Sequence, residues 1–164
     1  MKSIHPIHYF SVFTLSLLLA VCCNQAIAEN KAESAENKIA LEKAEQIFEN
    51  LYVDPNDKLL AAYSVRVKIS RTSFDADGKE IKKVIAPENV RPYLREWVRA
   101  EQKKGAKHVE YNLPTYTIEG DEKVRVETVR IEKDPHAVRR LSLLVGKEGN
   151  NWRIIEDTWS DVTR

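Results

Sequence analysis

In the closing stretch WRIIEDTWS (152–160), Glu156 and Thr158 alternate on the same side as Trp152 and Ile154. A carboxylate held among apolar groups is driven toward its neutral acid and can then exchange a proton near neutrality. Glu156 is therefore the candidate catalytic acid or base if the chain is an enzyme, and a solvated or arginine-paired rim residue otherwise. Thr158 adds a hydroxyl to the same pocket wall. Tyr63, Trp97 and Tyr111 combine apolar bodies with polar tips, which suits the lining of an apolar ligand cavity as well as an ordinary core. The opposite parity gathers Val138, Leu144, Ile155 and Trp159 into a second apolar set, which calls for a partner surface.

Other chemistries find little support. Beyond residue 28 the histidines are His108 and His136, and no cysteine or acid is spaced with them for a metal, so no metal or cofactor is expected. No G-x-S-x-G, H-E-x-x-H or phosphate loop occurs. Arg91, Arg95, Arg99 and Lys103 recur at every fourth residue, forming either a solvated helix face or a contact for an anionic partner.

The elements that must position these residues can be read from the period. Ile39, Ala40, Ala44, Ile47, Phe48 and Leu51 form one stripe, predicting a helix over 37–52. Asp54-Pro55 starts a short second helix, 55–62, that would bury Leu59, Leu60 and Tyr63. SVRVKISRTSF then changes the period to two, with Val65, Val67 and Ile69 inward, and Asp77-Gly78 turns it into a short partner strand. A third helix is expected over 92–104, burying Leu94, Trp97 and Val98, with Gly105 ending it.

Four hairpin-linked strands follow, and every glycine beyond residue 28 marks a turn or a helix end in this reading. Pairing Ile118 with Val124 and Tyr116 with Val126 leads on to Leu113 with Val129 and Tyr111 with Ile131. The apolar parity then breaks opposite itself, at Pro114/Thr115 and Glu127/Thr128. Either paired bulges bend the sheet there, or its two ends bury opposite faces. In the last hairpin, Val145 pairs with Trp152, Leu143 with Ile154 and Leu141 with Glu156, which points Glu156 into the curve. Arg140 and Asp157 then face each other on the outside.

The two ends bound the compartment. Tyr9–Val21 is an apolar run too short to span a bilayer comfortably, and Ala26 and Ala28 form a signal-peptidase site, so residues 1–28 are expected to be a signal peptide. Cys22 and Cys23 fall inside it. Residues 29–36 form a flexible lead and 37–164 one domain, large enough to fold without disulfides. An exported chain lacking them suits a bacterial periplasm, with the extracellular space second. The full chain carries a net charge of +1. Its near-neutrality argues against general nucleic-acid affinity, and no later run would insert stably in a membrane.

Helix, short helix, hairpin, helix and a curved four-stranded meander resemble the nuclear transport factor 2-like superfamily of α+β cones. The ending Trp152-x-Ile154 followed by Ser160 is similar to the polyketide-cyclase-like pattern W-x-I-x-x-x-H-x-S, with Thr158 where that pattern has histidine. The NDKLLAAYS and ENVRPYLREWV segments are similar to the second and third helices of that superfamily. The resemblance implies three helices packed in a strongly curved antiparallel sheet, a ligand-sized cavity at the open end, and a homodimer through the outer sheet face. It admits binding modules, isomerases, dehydratases and hydrolases. The expected function is an exported binding module for a small apolar ligand or protein partner. The alternatives are an enzyme using Glu156 and a structural subunit of an envelope assembly.

Overall fold

The computed structural model describes residues 35–49, 55, 57–104, 109–120, 122–133 and 136–162. The expected signal segment 1–28, most of the lead and His108 lie outside these residues. The chain divides into two compact units, 1–38 and 39–164. In the first, the described residues 35–38 are helical.

The second unit begins with helix α1 (39–47), closed by a π turn at 48–49. Its stripe of Ala40, Ala44, Ile47 and Phe48 is buried, as the spacing requires. Then come α2 (Asp57–Ala62), β1 (Tyr63–Phe74), β2 (Glu80–Ile85), a 3-10 turn (Pro87–Asn89) and α3 (Val90–Lys104). The remaining strands are β3 (Val109–Tyr111), β4 (Thr115–Ile118), β5 (Lys123–Lys133), β6 (His136–Glu148) and β7 (Asn151–Asp161). They form one curved, unclosed sheet of seven strands in the order β2-β1-β7-β6-β5-β3, with β4 also on β5. The fold is an α+β cone. The sheet is mixed rather than wholly antiparallel, because β1 joins β7 in parallel. The N-terminal hairpin and the C-terminal meander are each antiparallel, and they meet through strands that run the same way.

Three expectations of register are corrected. In β6–β7, Val145 pairs with Ile154, not Trp152, and Leu144 pairs with Glu156. Ile155 is an extra residue between those two pairs. A bulge reverses the parity of everything after it, so Asp157 and Trp159 point inward while Glu156 and Thr158 point outward. Gly146 makes room for it: a Cβ there would lie 2.9 Å from Ile155 Cδ1. Gly146 is thus a strand residue of β6 and not a turn; the turn uses Gly149, with φ +61°.

In β3–β5, Ile118 faces Val124 and Tyr116 faces Val126 as expected, but Tyr111 faces Arg130 and not Ile131. The slip is confined to residues 112–114 between β3 and β4, where Leu113 is 94% exposed. Strand β5 runs through without a break in parity. Its inward residues are Val124, Val126, Thr128, Arg130 and Glu132, all buried. The change along β5 is therefore one of chemistry and not of geometry. Lastly, β1 loses register with β7 between Tyr63 and Lys68. Val65, expected inside, is 76% exposed.

These corrections divide the inner face into two zones. At one end Val124, Val126, Leu143, Val145 and Ile154 pack with α1 and α2 residues into an apolar core. At the other end the inward positions of β1, β5, β6 and β7 are largely ionic. Leu141, Ile69 and Trp159 mark the boundary.

Candidate functional site

The ionic zone is built on four strands and one face of α3. Helix α3 buries Val90, Leu94 and Val98, and the same stripe continues to Glu101. Strand β5 brings Arg130 beneath it. The Arg130 side chain is fully buried, and its Nη2 donates to Glu101 Oε2 at 2.5 Å and lies 3.4 Å from Glu132 Oε1. Arg130 Nε and Nη1 have no hydrogen-bond partner among the described residues. The guanidinium instead lies 4.7 Å from the centre of the Trp159 ring.

A second arginine approaches the same ring. Arg71 Cζ is 4.8 Å from the Trp159 centroid and 5.3 Å from that of Tyr93. Its Nη1 donates to Asp157 Oδ1 at 2.8 Å, and its Nε donates to the Tyr93 hydroxyl at 2.8 Å. Asp157 is fully buried and also accepts from the Tyr63 hydroxyl at 2.6 Å. Two opposite charges and a hydroxyl thus satisfy one another at a depth where any one alone would be costly. Nearer the mouth, Arg139 pairs with Glu132 and with Asp161, the latter at 2.9 Å. Lys104 stands 3.7 Å from Glu101 and 3.6 Å from Glu132.

Above this network opens a cavity of about 340 Å³. Tyr93, Trp97 and Trp159 give it aromatic walls, the two tryptophans meeting edge to face with ring centres 5.7 Å apart. Arg139, Asp161, Lys104 and Thr72 supply a polar rim.

The residues singled out from sequence are dispersed. Trp97 lines the cavity and Trp159 joins it from β7, packed on Trp97 instead of on the outer face. Tyr111 lies inside, edge to face on Phe48 at 5.7 Å. Tyr63 is buried beneath the network through its bond to Asp157. Glu156 and Thr158 are on the outer face: Glu156 lies 3.5 Å from Arg125, and Thr158 shares a hydrogen bond of 3.1 Å with Ser70. The expected outer set of Val138, Leu144, Ile155 and Trp159 therefore loses its tryptophan. Arg140 faces Ser160, not Asp157. His136 is exposed.

Sequence reasoning missed Arg71, Glu101, Arg130, Glu132 and Asp157. Two signals pointed to three of them: a glutamate one turn beyond Trp97 and Val98 on an apolar stripe, and the unbroken alternation Thr128–Arg130–Glu132. Among the described residues, no group of three or more His, Cys, Asp or Glu side chains is placed to hold a metal ion. No described helix is long and apolar enough to cross a membrane.

Burial pushes the Tyr111 hydroxyl up to about 12, with Arg130 acting against the rise and Glu101 and Glu132 adding to it. Tyr111 is therefore neutral throughout the physiological range. A phenol with a raised folded-state pKa contributes its full stability below its ordinary value of 10.0 and loses it as pH rises toward 12. Tyr111→Phe is accordingly expected to flatten the fall of the thermal midpoint across that interval. A parallel fall in variant and parent would contradict this assignment.

No family model matches the sequence, and no curated protein matches it either. Solved structures do share its shape. A cystatin-like fold protein from Burkholderia xenovorans aligns over 79% of this chain and 92% of its own, at 16% identity and a TM-score of 0.50. A nuclear transport factor 2-like protein of unknown function from Methylobacillus flagellatus aligns over 78% of this chain and 94% of its own, at 11% identity and the same TM-score of 0.50. At such identities the likeness speaks of architecture alone. The chain has a cystatin-like α+β cone, the fold it shares with these structures.

Proposed function

We propose that the protein is an exported binding module that holds a small ligand at the mouth of the cone. The observation that carries this reading is the cavity itself: aromatic walls from Tyr93, Trp97 and Trp159 beside a rim of Arg139, Asp161 and Lys104. A few convergent polar groups on an aromatic surface are the usual makeup of a small-molecule site. The charges also limit the ligand. Arg71, Arg139 and Lys104 each face a carboxylate, so the site offers little net charge. It suits a compact molecule with an apolar ring or chain and uncharged or zwitterionic polar groups.

The same pairing favours binding over catalysis. An acid or base must be free to exchange its proton with a substrate, whereas Glu101, Glu132 and Asp157 are held by arginines. Glu156 lies on the other side of the sheet. That outer face carries small hydroxyl residues, Ser70, Ser142, Thr158 and Ser160, and we include in the proposal a homodimer formed through it. The support is that this run of short side chains, bordered by Glu127 and Arg140, leaves room for a second sheet to approach.

Native mass spectrometry of the full chain, purified from the cell envelope of its own host, tests ligand and oligomer together. The expected spectrum shows a dimer that retains a small molecule. Ala100→Trp, at an exposed position on the cavity wall, should fill the space and weaken retention by about tenfold or more. A ligand-free parent, or retention unchanged in Ala100→Trp, would refute the cone-mouth site.

A further inference from the structure

The sharpest mismatch between side chains and surroundings lies outside the cone, where β1 loses register with β7 between Tyr63 and Lys68. A valine in such a strand ordinarily points into the core, yet Val65 is 76% exposed. It borders a crevice of about 240 Å³ between the start of β1 and the start of α3. The floor is apolar: Tyr63 and Leu94 are each 2% exposed and Val90 6%, with Leu60 alongside.

The rim is cationic. Arg91 and Arg95 border the crevice one helical turn apart, so their side chains rise on the same side of α3. Neither makes an ion pair or hydrogen bond among the described residues. Glu88 is the acid among the lining residues, facing two arginines. At the cone mouth every cation has its carboxylate, and here that balance fails. An exposed valine, an apolar floor and two unengaged guanidinium forks together describe a site for a molecule with a tail and a negative head.

We propose that this crevice binds a free anionic amphiphile, namely a medium-length alkyl carboxylate. The carboxylate is gripped between Arg91 and Arg95, and the alkyl chain lies along Val65 and Leu94 over the floor. The site shares no lining residue with the cone mouth, so it stands or falls apart from the function proposed above. An anionic head on an alkyl tail also occurs in bilayer lipids. The small volume fits one short tail and favours the free molecule.

The experiment is titration of the full mature chain with hexanoate, octanoate and decanoate, followed by calorimetry and by backbone amide shifts. Affinity is expected to rise about fourfold per added methylene until the crevice is filled. Octanol, with the tail but no charge, should bind about tenfold more weakly than octanoate. The shifts should centre on Val65, Arg91 and Leu94. Both arginines are exposed, so Arg91→Ala combined with Arg95→Ala should leave the fold standing and abolish the preference for octanoate over octanol. Val65→Ser should weaken decanoate more than hexanoate. Equal binding of octanol and octanoate, no dependence on chain length, or shifts centred on Trp97 and Trp159 would each overturn the proposal. So would binding to phosphatidylglycerol vesicles without binding to the free carboxylates.

Discussion

Arg130→Met is expected to lower the free energy of unfolding by about 3–5 kcal/mol, because it removes the cation from between two buried carboxylates. Glu101 and Glu132 have side chains only 8% and 5% exposed. Glu101 would lose its close partner in poor solvent, and Glu132 would be left to Arg139. Lys104 and Arg139 remain nearby, but they approach from the mouth, and Lys104 stands no closer than 3.6 Å. The size of the loss is not the worth of the arginine; it is largely the cost of leaving its partners behind. The triple variant Arg130→Met, Glu101→Leu, Glu132→Leu should consequently recover most of the stability, since an apolar cluster of similar volume replaces the ionic one. Urea unfolding of the three proteins measures both effects. A single variant within about 0.5 kcal/mol of the parent, the range of ordinary surface changes, would show that the cluster is hydrated and not buried as described.

Trp159→Ala is expected to cost about 3–5 kcal/mol, the range for deleting a large aromatic side chain from a core. Trp159 is 6% exposed and holds three neighbours at once: Trp97 edge to face, and the guanidiniums of Arg71 and Arg130 over its ring. Truncation opens a cavity and also removes the π face from one buried and one partly buried cation, so the loss should exceed that of Trp159→Phe by more than the change in volume alone suggests. Chemical denaturation of both variants decides this. An alanine variant as stable as its parent would place Trp159 on a solvent-facing or subunit-facing surface after all.

The architecture was legible because it rests on periods and punctuation. The stripe from Ala40 to Phe48, the hairpin signal Asp77-Gly78 and the pairing of Ile118 with Val124 are local, and tertiary structure kept them. The site was less legible because it depends on parity, which one added residue inverts. Counting Trp152, Ile154, Glu156 along β7 assumes strict alternation, and Ile155 breaks it. A converse error arose on β5. Val129 and Ile131 suggested that the buried face had switched, whereas the strand ran straight and carried Arg130 and Glu132 inward. Hydrophobicity was the wrong guide there, because those charges are buried as mutual partners. Trp97 was singled out as a large aromatic on the inner stripe of α3, but nothing local tied it to Trp159, 62 positions later.

The extra residue Ile155, seated over Gly146, has a consequence in heredity. Loss of that single codon would remove the bulge without turning the strand over: Ile154 would still pair with Val145 and Glu156 with Leu144, so Asp157 and Trp159 would keep their inward places. The arginine-locked, tryptophan-walled mouth is thereby indifferent to an in-frame deletion of three nucleotides at this point, and no substitution would be needed to preserve it. Lineages of this fold can thus gain or lose a residue here while the chemistry of the cone stays put, and a comparison that scores residue identity without first placing the bulge would align the wrong face.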